Sequence, residues 1–359
     1  MKSYHQSMKD LHFTEEEKSV MVEHLMEAAQ ATNNKKRVLP IRRLTAVGAA
    51  AALVLALGAG AAATGVLKSA GEVFADVFGG APAQTEILDQ IGYPVGAEDT
   101  VDGVTVTADA ILGDTYSYAI VYTIAREDGT PLADGLTPNE NGYLPLTFEQ
   151  SDVDVGHMGG MHGSSYFYDA DPADNAIQYV ELRTADSPLE PGTAKVSLKN
   201  LGVFVDGDYS NKQTIASGKW SFRFQFAFEN CGIQLPAGQT FHMNGMEATL
   251  DQVELSPLSF LVEYTVHAPL QESTSATGNE LGGATNAEDQ SQMDRAFRNL
   301  PLTLSMKDGT TLDLSGAGGS VTPQGEETVC QKSAIFDAIH SLDEVESITI
   351  GDLTIPVAQ

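Results

Sequence analysis

Cysteine is nearly absent from this chain: 359 residues hold only Cys231 and Cys330. With no C-x-x-C pair, a zinc ribbon or thioredoxin-type redox motif is excluded. Basic residues are scarce too, 20 Lys+Arg against 49 Asp+Glu, a net charge of −29. Eight of the basic residues and only six of the acids lie in the first 43 positions, which leaves 12 basic and 43 acidic residues in 44–359. A surface of that sign repels nucleic acid and anionic lipid, so neither is expected as a partner of the large part. The acidity itself reads as a solubility device. Also missing are G-x-S-x-G, H-E-x-x-H and a Walker loop. The chain is therefore read as non-enzymatic and without a cofactor.

One absence is local. Residues 44–67, LTAVGAAAALVLALGAGAAATGVL, carry no charge. As a helix rising 1.5 Å per residue the run reaches about 36 Å, enough to cross a bilayer. A cleaved signal peptide and a buried Ala-rich helix are the competing readings. The charged segment before the run is far longer than a signal peptide's, and a core helix rarely runs so long without a polar face. The expectation is a retained transmembrane helix in the lipid bilayer. Lys35, Lys36, Arg37, Arg42 and Arg43 precede it with no acid between them, which places residues 1–43 in the cytoplasm and 68–359 outside. Gly48, Ala52, Ala56 and Gly60 recur at every fourth place, a pattern compatible with helix dimerisation.

The tail carries a helix signal of its own. Thr14 followed by Glu17 forms a capping box. Val22, Leu25, Met26 and Ala29 then fall at i, i+3, i+4 and i+7, with Met21 widening the stripe. These five residues are the candidate partner-binding surface of the tail, on a helix from 14 to about 31.

Beyond the run, a juxtamembrane segment, 68–98, has helical spacing at Val73, Phe74 and Val77 and again over 85–91. Period-2 alternation then dominates. It predicts strands over 101–110, 116–124, 176–182, 194–205 and 219–228, and after residue 230 over 239–241, 247–255, 260–267, 301–306, 310–314, 327–331, 347–350 and 353–357. A helical turn is expected over 333–341. Trp220, Phe222, Phe224 and Phe226 share one face of their strand, a core row. Short strands with turns between them predict a mainly β fold: two extracytoplasmic, immunoglobulin-like β-sandwich domains, 99–229 and 230–359, with a barrel as the alternative. Residues 271–299 are polar and small and read as a structureless insertion.

Three constellations hold residue types suited to chemistry. His157, Met158, Met161 and His162, interleaved with glycine, have the donors for copper, but also read as a loop whose methionines pack on the domain. His242, Met243 and Met246 are similar. Asp169, Asp171, Asp174 and Asn175 lack an EF-hand's spacing and read as a turn. No metal is expected. Cys231 and Cys330 fall in one outer domain in an oxidising compartment. They are either a disulfide worth about 4–5 kcal/mol on the chain-entropy estimate or two unrelated thiols.

The assembled order resembles a known family. The tail LHFTEEEKSVMVEHLMEAA, the basic run, the single span, VTVTADAILGDTYSYAIVYTI after it and VESITIGDLTIPV at the end are similar to the single-pass, anti-sigma-factor-like envelope proteins of Firmicutes-type bacteria. Their outer part includes a domain of unknown function, and they are described as negative effectors of an extracytoplasmic-function sigma factor. The resemblance implies a tail that holds a sigma factor at the membrane and outer domains that sense an unidentified ligand or protein. It does not imply a zinc-type anti-sigma domain, because H-x-x-x-C-x-x-C is absent. An anchored surface module without cytoplasmic output is the alternative.

Overall fold

A computed structural model describes residues 67–205, 208, 210–269 and 294–357, which belong to one compact unit. The tail helix with Met21, Val22, Leu25, Met26 and Ala29, the apolar run up to residue 66, and most of the polar insertion lie outside the described residues. Among those described, no helix is long and apolar enough to cross a membrane.

The described chain opens with a helical hairpin. Helix α1, Ala70–Phe78, starts at Ser69, whose hydroxyl accepts from the Glu72 N–H while the Glu72 carboxylate accepts from the Ser69 N–H. This reciprocal capping box satisfies two of the orphan donors of the first turn. Pro82 occupies the first position of α2, Pro82–Ile91, where its missing N–H costs nothing. The Asp89 carboxylate accepts from the Gly71 N–H and pins the two helices together. Of the segment expected to be helical, 92–98 is instead strand, because the chain turns extended at Gly92 and pairs with residues 107–112.

The rest is mainly β and sandwich-like, and every named strand pair is antiparallel. Strands β1 (Gly92–Val101), β2 (Val104–Gly113), β3 (Ser117–Arg126), β5 (Met161–Tyr168) and β6 (Ala176–Ala185) form a sheet in the order β1-β2-β3-β6-β5. Facing it are β4 (Leu146–Asp154), β7 (Gly192–Phe204) and β8 (Lys212–Phe226), in the order β4-β7-β8. Side chains from both sheets make one core, with Tyr118, Tyr122, Phe148, Trp220 and Phe226 at its centre. The row on β8 lies inward as alternation requires, and the Trp220 indole N–H donates to the Val104 carbonyl at 2.8 Å.

The second lobe repeats the principle. One sheet holds β10 (Thr240–Met243), β11 (Met246–Leu255), β12 (Ser259–Val266), β16 (Glu327–Ile335) and β15 (Gly319–Gln324), in the order β10-β11-β12-β16-β15, with β9 (Ile233–Gln234) also on β11. The other holds β14 (Thr311–Asp313), β13 (Leu302–Met306), β17 (Val345–Ile350) and β18 (Leu353–Pro356), in that order. They share a core that includes Phe241, Phe260, Tyr264 and Ile348. Two expectations fail in this lobe. Residues 333–335 extend β16 along β12, and no helix forms over 333–341. The end of the polar insertion is ordered: Asp294–Arg298 makes a helical turn with Ala296 fully buried. The apolar pair Ala296 and Phe297 gives that end something to bury, which the polar stretch before it lacks.

A third apolar cluster joins the two lobes. Ala70, Phe74, Phe78, Leu88 and Ile91 of the hairpin pack on Ala110, Leu112, Ala119, Val121 and Val180 of the first sheet, together with Leu258 and Ile339 of the second lobe. Strand β3 is therefore buried on both faces. On β2 an irregularity between Ala108 and Ala110 shifts the alternation. Val104, Val106 and Ala108 point into the sandwich, and Ala110 and Leu112 point to the helices.

Candidate functional site

The two lobes meet around one buried carboxylate. Asp114, at the start of the β2–β3 turn, accepts from the Tyr116 and Ser117 N–H groups at 3.0 and 2.7 Å through Oδ1. Its Oδ2 accepts from the Ser256 and Ser259 hydroxyls at 2.5 and 2.6 Å. Burial pushes its carboxyl upward against four hydrogen bonds that favour the ionised form. Gln252 donates to the Tyr116 hydroxyl, and Gln331 donates to the Asp186 carbonyl. This polar junction ties the β2–β3 turn and the residue after β6 to the second lobe.

Strand β5 is the shared wall of three cavities, of about 500, 600 and 960 Å³, and Ser165 borders all of them. The smallest lies between β4 and β5, the edge strands of the two facing sheets, and is lined by Tyr118, Asp152, His162, Glu181 and Arg183 among others. The second lies between β5, α1 and β16. The largest is walled by Tyr143, Tyr166, Phe148 and Phe167, and the described residues that line it include no charged side chain.

Glu181 is the unusual member. It lies on the face of β6 that carries Ile177 and Tyr179 into the core, and it is 2 % exposed. Its Oε1 takes Nη2 of Arg183 at 3.2 Å, while its buried Oε2 has no hydrogen-bond partner among the described residues. Burial pushes its pKa up to about 7; Arg183 pulls it down and Asp152 adds to the rise. The Arg183 guanidinium is held by carbonyls, donating to Ser164 and Leu182 at 2.8 and 2.9 Å. No sequence motif marks this residue. The available signal was a lone acid in the alternating run 176–185, on the same face as Ile177 and Tyr179.

The copper candidates do not converge. Nε2 of His157 bonds Asp186 at 3.2 Å, and Nε2 of His162 bonds the Ser333 carbonyl at 3.1 Å, in the other lobe. Met158 is 97 % exposed, and Met161 sits at the mouth of the smallest cavity. The Met158 side chain therefore packs on nothing, contrary to the loop reading. His242 lies near Glu247 and Asp352, while Met243 is in the core. Asp171 and Asp174 accept from backbone N–H groups two residues on, as turn formers. Among the described residues, no group of three or more His, Cys, Asp or Glu is arranged to hold a metal. Cys231 and Cys330 are both free thiols: Cys330 is buried in the second core, and Cys231 packs on the joining cluster. The pairing alternative is not formed, because the two side chains belong to different clusters.

No family model and no curated protein matches the chain. A solved structure, the conserved domain protein from Bacillus anthracis, is similar in fold with a TM-score of 0.44 and 12% identity, over 72% of this chain and 75% of that one.

Proposed function

We propose that this chain is a non-enzymatic, membrane-anchored signalling protein resembling an anti-sigma factor. Its two immunoglobulin-like lobes lie outside the cell and sense an envelope ligand. Its N-terminal helix, through Met21, Val22, Leu25, Met26 and Ala29, holds a sigma factor in the cytoplasm.

The observation that carries this reading is the seating of the helical hairpin. The first described residues after the apolar run do not form a loose stalk. Phe74 and Phe78 are buried in a cluster that touches both lobes, and the Phe78 carbonyl accepts from the Ile339 N–H at 3.2 Å. A change in how the lobes meet is thus handed directly to the residues that leave the apolar run. A surface module that only displays its domains has no use for such a connection.

The test has two arms. Protease added to intact spheroplasts should digest residues beyond 68 and spare the tail. Pull-down from lysate with residues 1–43 should recover a sigma factor, and the double variant Leu25→Glu, Met26→Glu should lose it. The same proteins recovered by both baits would leave an anchored binding module as the better reading.

A further inference from the structure

We propose that the open edge of β5 is a docking strand for an extended peptide, and that the cavity between β4 and β5 takes a cationic side chain of that peptide against Glu181.

The backbone supplies the first half. β5 is the outer strand of its sheet. Among the described residues, its far edge carries one bridge, from the Leu144 N–H to the Phe167 carbonyl at 2.8 Å. In an antiparallel ladder, donors and acceptors alternate between the two edges. The groups of Ser165, and two residues before it those of Gly163, therefore point the same way as those of Phe167. Gly163, Ser164 and Ser165 are exposed. Natural edge strands are usually covered or blunted, and the described residues cover this one only at its end. Gly163 also lets the strand lie close on β6: a Cβ there would stand 1.9 Å from the Leu182 carbonyl oxygen.

The side chains supply the second half. An added strand places alternate residues on opposite faces of the sheet. One face meets the cavity bounded by Asp152, Glu181, Arg183 and His162, which carries two acids, one guanidinium and an imidazole whose Nε2 is engaged by the Ser333 carbonyl. Arg183 is engaged by two carbonyls and by Oε1 of Glu181, so the acceptor capacity left over is that of Asp152 and of Oε2 of Glu181. A buried polar atom without a partner is costly to keep. A cationic donor provides the missing partner and matches the sign of the cavity. The assignment stands whether or not the chain signals, since binding is read on this protein alone and tail capture is a separate measurement.

The experiment uses the full chain in detergent micelles and an array of blocked heptapeptides with a fixed central lysine and the other positions varied. A matched array carries norleucine at the centre. Peptides retained by the wild type should bind E181Q at least tenfold more weakly, and D152N, an exposed position at the cavity mouth, at least threefold more weakly. The norleucine counterparts, and the same peptides N-methylated on alternate residues, should lose binding by tenfold or more. Retention of no peptide, equal binding by E181Q and D152N, or displacement by n-butylamine at the peptide's own affinity would overturn the proposal. The last result would make the cavity an amine site that does not use the strand edge.

Discussion

Among the buried charged side chains, Lys332 of the second lobe and Glu181 of the first are partnered in opposite ways. In the second lobe Lys332, 1 % exposed, donates to the Phe297 and Ser315 carbonyls at 3.0 and 2.7 Å and sits 4.5 Å over the Phe297 ring. Every contact ties down chain that follows no ladder: the helical turn Asp294–Arg298 and the loop after β14. In the first lobe Glu181 is buried almost as deeply, yet one carboxylate oxygen has no partner among the described residues, and the residue lines a cavity. A buried charge with its donors matched is a structural staple. A buried charge left half-matched beside an opening costs stability, and on the docking proposal a cationic ligand offsets that cost.

This contrast can be tested by expected size of effect. Phe74→Ala should cost most, about 3–5 kcal/mol for an aromatic removed from a packed core. Because its cluster borders both lobes, protection from hydrogen exchange should fall in both; loss confined to the first lobe would break the account of the junction. Lys332→Met should cost about 3 kcal/mol, two charge-assisted hydrogen bonds less the apolar gain, read by urea unfolding. If K332M is as stable as the wild type, the lysine is no staple. Tyr264→Phe, which removes the donor to the Ala296 carbonyl at 2.8 Å, should cost about 1 kcal/mol and expose 294–298 to protease. The smallest effect concerns the thiols. Two per chain should react in denatured, unreduced protein, with Cys330 silent in the folded state, since it is buried and its thiol is pushed up to about 12.

The strands that carry the cores were legible from sequence because their alternation is strong, as in YSYAIVYTI and WSFRFQF. The strands that build the candidate site were not. β4 reads LTFEQSDVD and β5 reads MHGSSYFY; as edge strands with one solvated side they carry little apolar pattern, and the glycine interrupts what there is. The same holds for β15, GSVTPQ. The helical turn expected over 333–341 came from apolar spacing that belongs to the end of β16 and the chain after it. Lys332 and Glu181 are ordinary letters in sequence. Only the packing of elements far apart in the chain makes one a tether and the other an open acid.

The measurement that bears most directly on this distinction is the stability of E181Q against wild type across pH. Burial raises the Glu181 pKa from 4.5 to about 7. The folded state therefore favours the protonated carboxyl, and this contribution is complete below pH 4.5 and lost as pH rises through about 7. Asp109, raised to about 6 by burial, titrates in both proteins, so the difference between them isolates residue 181. The account predicts near-equal unfolding free energies at pH 4.5 and a gain for E181Q of about 2–3 kcal/mol at pH 8. A variant less stable than wild type at pH 8 would show that the ionised carboxylate and Arg183 hold the lobe together, and that Glu181 is a staple like Lys332.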